Sequence, residues 1–260
     1  MKRTTTLPAA AVCAIGVAGA VLRLAHTRAC YEESGLILRH QPLTGLLTAA
    51  VLAVILLGVI TGLLSVLRGK KGSPSDLSAS SAPGTCQSFI CIAAALLTAA
   101  GAVWQFVATA PRTTLLSVSC LLGLAAAAGA VVMSRRSRDR SALLASCAAV
   151  GTFFCLELVR HFASNTLNPV TLSFGPECLA LGAVSLFAFC LGTARGEARG
   201  FGTVCFGLCA AGLCLTALTG PQITWPDRLI LLAGTLFSLP FVLRLSMAAG
   251  TGEREAEEAE

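Results

Sequence analysis

The sequence predicts an all-α fold, a polytopic transmembrane helix bundle of eight spans with both termini cytoplasmic. Three observations predict it. Of 260 residues, 55% are hydrophobic and 12% charged, where ordinary soluble domains carry roughly 25% charged residues. So little charge cannot cover the surface of a water-soluble globule, and disorder requires the opposite composition. Eight apolar runs approach or exceed the ~20 residues a helix needs to cross the hydrocarbon. None alternates as a barrel strand does, and only helices satisfy their backbone groups segment by segment in lipid. Finally, the 19 Lys and Arg residues, against 13 Asp and Glu, gather in short clusters between the runs. That pattern sets orientation in a bilayer; it is not a nucleic-acid surface, and the partner it implies is the lipid bilayer.

The first run, Leu7–Ala25, follows Met1-Lys2-Arg3. A basic start and Ala18-Gly19-Ala20 also fit a secretory signal, whose cleavage would leave seven helices with the N-terminus outside. The run continues to Leu24 without a breaker, so a retained helix is expected; Cys13 lies too early to be a lipobox cysteine. Pro42 opens the second run, Leu43–Leu67, in a first turn where its missing N–H is no loss. This run carries Gly58-x-x-x-Gly62, which permits close helix approach, expected within the bundle rather than in a homodimer. Residues 69–85 are rich in Ser, Gly and Pro and read as a flexible cytoplasmic linker.

Pro111 separates the third run, Phe89–Thr109, from the fourth, Thr114–Ser134. The cluster Arg135-Arg136-Ser137-Arg138-Asp139-Arg140 then precedes the fifth, Ala142–Val159. Pro176 opens the sixth run, Cys178–Ala194; the seventh is Phe201–Thr219 and the eighth Leu229–Ala249. Pro221 and Pro226 bracket the turn before the eighth, and Pro240 inside it predicts a kink. Residues 250–260 form an acidic cytoplasmic tail, read as a solvated end or a frayed helix.

With the N-terminus inside, 13 of the 19 basic residues fall on the cytoplasmic side and 6 outside. This bias favours cytoplasmic termini in a bacterial-type plasma membrane. Trp104, Trp225 and Tyr31 then lie at the outer face, as an interfacial aromatic belt requires. The two halves share a faint parallel likeness. Val107-Ala108-Thr109-Ala110-Pro111 compares with Ala217-Leu218-Thr219-Gly220-Pro221, and Arg23 with His26 compares with Arg160 with His161. A duplication of four helices is one reading, an arrangement in which transporters place a site between halves; chance similarity of apolar sequence is the other.

The 12 cysteines include no Cys-x-x-Cys. Apart from Cys178, which opens the sixth run, nine sit in the runs, where a thiol behaves as a small hydrophobe. Cys205 and Cys209 share a face with Gly212 and Thr216, which reads as a small-residue packing face. Cys30 and Cys178 lie near the outer surface, either as a disulfide or as free thiols.

Ionisable residues inside spans are the default functional candidates. Glu157 is the only carboxylate within a predicted run, and Arg160 and His161 follow at i+3 and i+4 on one helix face. One reading is structural: Arg160 pairs with Glu157 near the helix end while snorkelling. The other is a substrate-binding outer vestibule built from Glu157, Arg160, His161, Arg23 and His26. Arg39, His40, Glu177, Asp227 and Arg228 are predicted at the same depth. Its arginines suit bidentate capture of an anionic solute. Glu157 and His161 alone fall short of a metal ligand set, so no metal is assigned.

There is no Gly-x-x-x-x-Gly-Lys-Ser/Thr loop, no His-Glu-x-x-His and no Gly-x-Ser-x-Gly elbow. No enzyme activity and no cofactor are therefore expected. The expected function is a small-solute transporter or the membrane subunit of one. The alternative is a non-catalytic assembly, sensor or scaffold component, with the Ser-rich loop and acidic tail contacting a membrane or cytoplasmic protein partner.

Overall fold

A computed structural model describes residues 3–29, 42–69, 85–109, 113–134, 140–165, 174–193 and 201–257, with side chains described in 8–29, 42–67, 87–109, 113–134, 140–165, 174–193 and 201–243. Eight helices account for nearly all of these: α1 (Arg3–Ala29), α2 (Pro42–Gly69), α3 (Thr85–Ala108), α4 (Thr114–Ser134), α5 (Arg140–Ser164), α6 (Gly175–Thr193), α7 (Phe201–Ala217) and α8 (Trp225–Glu257). No strand occurs among the described residues. Most of the linker, Tyr31, Arg39, His40 and the Cys30 partner of Cys178 lie outside them.

Among the described residues, seven helices are long and apolar enough to cross a membrane. Their burial pattern is inverted relative to a soluble protein. Leu56, Leu63, Leu96, Leu121 and Phe189 are exposed, whereas Arg23, Glu157 and Glu177 are buried at 1% exposure each. An exterior of Leu, Val and Phe around buried, paired charges is stable only in hydrocarbon. The chain is therefore an integral, multi-pass membrane protein.

The helices alternate in direction. One end of the bundle gathers the C-terminal ends of α1, α3, α5 and α7 with the N-terminal ends of α2, α4, α6 and α8. Contacts Arg23–Glu177, Gln105–Asp227, Ser119–Glu157 and Arg23–Ala217 all lie there. At the other end Ser88 at the start of α3 donates to the Ser134 carbonyl closing α4, at 2.8 Å. Trp104 and Trp225 are exposed at the first end, the depth an interfacial belt occupies.

The centre is α7. Its 17 residues span about 26 Å, short of a hydrocarbon core of about 30 Å. The mismatch is tolerated because α7 packs against α1, α2, α6 and α8, so protein rather than lipid covers it. Ala210, Ala211, Cys214 and Ala217 are fully buried. Close approach is possible because the facing residues are small. A Cβ on Gly58 would lie 2.6 Å from Cys209 Sγ, and one on Gly62 would lie 3.0 Å from Cys205 Cβ. Gly58-x-x-x-Gly62 thus docks α2 on the Cys205/Cys209 face of α7. Gly16 and Gly19 dock α1 on Gly212 and Thr216 of the same helix. Ala9 and Val12 of α1 belong to the core, so α1 is an integral wall of the bundle.

The remaining helices close a ring, α3–α4–α5–α6–α7–α8 and back to α3. Its interior away from the polar end is apolar. Phe187, Phe237 and Phe241 from α6 and α8 pack with centroids 5.6–6.3 Å apart, within the favoured range for aromatic pairs.

The packing bears on two readings the sequence left open. The four-plus-four repeat is not reproduced in the packing. α5 through α8 form a continuous sequence of neighbours, whereas the hairpin α1–α2 docks on α7 and the hairpin α3–α4 on α5 and α8, with no substantial α2–α3 contact among the described residues. α8 continues as helix to Glu257, so most of the acidic tail is helical, in keeping with its reading as a helical end. Ala, Glu and Arg over Glu253–Glu257 favour helix once turns have formed upstream, and they carry the helix past the unfavourable Gly250-Thr251-Gly252. α8 runs through Pro240 without interruption.

Candidate functional site

The polar end of the bundle contains a connected set of charged side chains. Local sequence explains their placement. α6 and α8 begin Gly175-Pro176-Glu177 and Trp225-Pro226-Asp227. Proline suits a first turn, and a carboxylate there meets the positive end of the helix dipole. Arginines near the C-terminal ends of α1 and α5 then supply the countercharge.

Arg23 and Glu177 are each 1% exposed. Arg23 Nη2 donates to both Glu177 oxygens, at 2.6 and 2.7 Å. The second group centres on Glu157, also 1% exposed. Ser119 on α4 donates to Glu157 Oε1. Arg160 Nε donates to Glu157 Oε2 at 2.9 Å, and Gln105 Nε2 on α3 does so at 3.3 Å. Arg160 Nη2 and Gln105 Nε2 both reach Asp227 Oδ1, at 2.6 and 2.9 Å. The backbone N–H and hydroxyl of Thr224 hold Asp227 Oδ2 at 3.1 and 2.5 Å. The network therefore ties α3, α4, α5 and α8 together at one level. Charge-assisted bonds of this kind are about twice as strong as neutral ones, and a buried carboxylate demands them.

Glu157, Arg160, His161, Glu177 and Asp227 line one cleft between α5, α6 and α8. Leu181, Ile223, Ile230 and Leu231 form its apolar part. The space along the cleft, open solvent included, is about 250 Å³. Its interior leaves room for about one water molecule, well below the ~300 Å³ at which small-molecule pockets begin. Three buried polar atoms at this end have no hydrogen-bond partner within the protein, His161 Nε2, Gln105 Oε1 and Arg228 Nε. Arg228 lies over the Trp225 ring, 4.8 Å from its centroid.

The five residues expected to form the vestibule separate. Glu157, Arg160 and His161 share the cleft; Arg23 stands behind Glu177; His26 turns to α2, with Nε2 3.0 Å from Thr44 Oγ1. Arg23 and Arg160 are already held by carboxylates, so neither is an open fork for an anion. Glu157 is not the only carboxylate inside a helix, since Glu177 and Asp227 occupy first turns of α6 and α8. Nor is it near a helix end: α5 continues to Ser164, placing Glu157 about 10 Å inside it. Sequence reasoning missed Gln105 and Ser119. Gln105 carried a signal, being the only carboxamide within the eight predicted runs. Among the described residues, no group of three or more His, Cys, Asp or Glu is arranged to hold a metal.

Gly220 is part of the site's construction. A Cβ there would overlap Glu177 Oε1 and approach Ile223 Cδ1 to 2.9 Å. Gly220→Ala is expected to dislodge the carboxylate from Arg23 and lower stability by about 1–3 kcal/mol. Gly182→Ala is the control, because its Cβ meets only Leu158 Cδ2 at an ordinary 3.7 Å. Thermal unfolding in mild detergent compares them, and equal midpoints would contradict the assignment.

Comparison with known proteins finds no matching family model, no matching curated protein and no matching solved structure.

Proposed function

We propose that the protein is a small-solute transporter, or the membrane subunit of one, and that the cleft at the polar end is where the solute first meets the protein. One observation carries the reading. Five ionisable side chains from three helices converge on a single cleft inside an otherwise apolar bundle, beside buried polar atoms whose hydrogen bonding the protein does not complete. Intramembrane charges of this kind mark solute and ion pathways. Leu181, Ile230 and Leu231 close the cleft toward the other end, so passage requires these helices to part. The reading assigns no bond-making chemistry to the chain. Orientation follows the positive-inside bias: the cleft faces outward and both termini lie in the cytoplasm of a bacterial-type plasma membrane.

Uptake of labelled small solutes into proteoliposomes tests this, with Glu157→Ala and Arg160→Ala alongside the parent and each shown monodisperse. The expected result is uptake above protein-free vesicles that falls at least about tenfold in both variants, equivalent to about 1.4 kcal/mol or more. No uptake across cationic, anionic and neutral solutes, or uptake indifferent to both substitutions, rejects the reading.

A second reading rests on α8, whose helix extends past its apolar span to Glu257. A helical acidic extension suits docking of a basic protein partner. Co-purification with and without residues 250–260 distinguishes it.

A further inference from the structure

We propose that His161 and the carboxylates around it form a proton-binding site, which takes up one proton from water through the cleft. The inference deepens the transport reading and rests on it for its purpose, the proton being the coupling ion. His161 is 5% exposed, lines the cleft, and has an Nε2 without a partner within the protein. Either tautomer leaves a function unmet. As N–H, the nitrogen is a buried donor without an acceptor; as a lone pair, it is a buried acceptor without a donor.

The surroundings select the ligand. On the same helix stand Glu157 and Arg160; α6 supplies Glu177, α8 supplies Asp227 and Arg228, and α1 supplies Arg23 behind Glu177. The lining proper holds three carboxylates against the one guanidinium of Arg160, which repels an anion. Both Asp227 oxygens and both Glu157 oxygens accept from protein donors. The Glu177 oxygens accept from Arg23 Nη2 and line the cleft, where their remaining lone pairs keep acceptor capacity. Room for about one water admits a proton carried by water and excludes an organic cation. In the uptake step an O–H bond of hydronium breaks, an N–H bond forms at His161 Nε2, and water and imidazolium result; release is the reverse. Imidazole is the side chain that ordinarily makes this change between pH 5 and 8.

The test is ¹⁵N-histidine NMR of the full chain in lipid nanodiscs. Only His26, His40 and His161 contribute, and His161→Gln assigns the resonance. The expected result is a one-proton transition of His161 between pH 9 and 5. In Glu177→Gln and Asp227→Asn, each removing one neighbouring negative charge, the imidazolium form is expected only at pH lower by about one unit. Using two variants guards against one failing to fold. A His161 that stays neutral to pH 5, or a transition unmoved in both variants, overturns the proposal. So does a resonance that responds to sodium or ammonium at constant pH and not to pH, which identifies a small-cation site instead. Titration of His161 without solute uptake removes the transport reading alone; uptake with a neutral His161 removes the proton site alone.

Discussion

Glu177→Ala is expected to destabilise the protein by about 3–5 kcal/mol, because it leaves the Arg23 guanidinium buried without its counterion. The two residues are 154 positions apart and tie α1 to the first turn of α6. Arg23 is 1% exposed and stands behind Glu177, outside the cleft lining, so burial disfavours its rehydration when the carboxylate is lost. The double variant Glu177→Leu with Arg23→Met is expected to regain at least half of the loss, since removing both charges also removes the cost of dehydrating them. The buried thiols of Cys147, Cys209 and Cys214 provide the readout. A thiol-reactive fluorophore reports the temperature at which the bundle opens in mild detergent. A Glu177→Ala midpoint equal to that of the parent would show that the pair does not hold the helices together.

The second large effect is steric. Gly16→Val is expected to cost about 2–3 kcal/mol or more, because the new Cβ would lie 2.8 Å from the Gly212 carbonyl oxygen and 3.1 Å from Gly212 Cα. Both are backbone atoms of the central helix and cannot rotate aside. α1 must move off α7, which also pulls on the Thr219 hydroxyl bond to the Ala20 carbonyl at 2.8 Å. Gly45→Ala is the matched control. Its Cβ meets nothing within 4 Å, and alanine is the better helix former by about 1 kcal/mol, so its midpoint should equal or exceed that of the parent. If Gly16→Val unfolds no earlier than Gly45→Ala, the small-residue packing of α1 on α7 is wrong.

The eight helices were legible because span length and hydropathy are local sums. Thr114–Ser134 is the same segment in sequence and structure, and the other seven predicted runs each overlap one helix, with their ends displaced by a few residues at most sites. The displacements have one physical source. Hydropathy charges each ionised side chain about 2.5–3.5 kcal/mol at a helix centre, as though it stood alone. The predicted fifth run therefore stops at Val159, just before Arg160, and the sixth and eighth begin at Cys178 and Leu229, just after Glu177 and Arg228. Reading by runs trims away Arg160, Glu177 and Asp227, each a partner in a neutralised pair. Arg160 bonded to Glu157 and Asp227, and Arg23 bonded to Glu177, carry far less than their separate penalties, so the helices extend through them.

By itself the sequence determined the class of protein, the number of helices, the single pair Glu157–Arg160 that lies within one helical turn, and the small face of α7. Each depends on residues close in the chain, or on apolar length measured against a bilayer of fixed thickness. Only the tertiary structure decided that α7 is the centre, that the halves pack differently, and that Arg23 belongs to Glu177 while His26 turns to Thr44. It also decided that three carboxylates, an arginine and a histidine whose Nε2 has no partner meet in one cleft. These are pairings between segments far apart in the chain. In an apolar bundle they are selected by the cost of leaving a buried charge alone, a cost that no single segment displays.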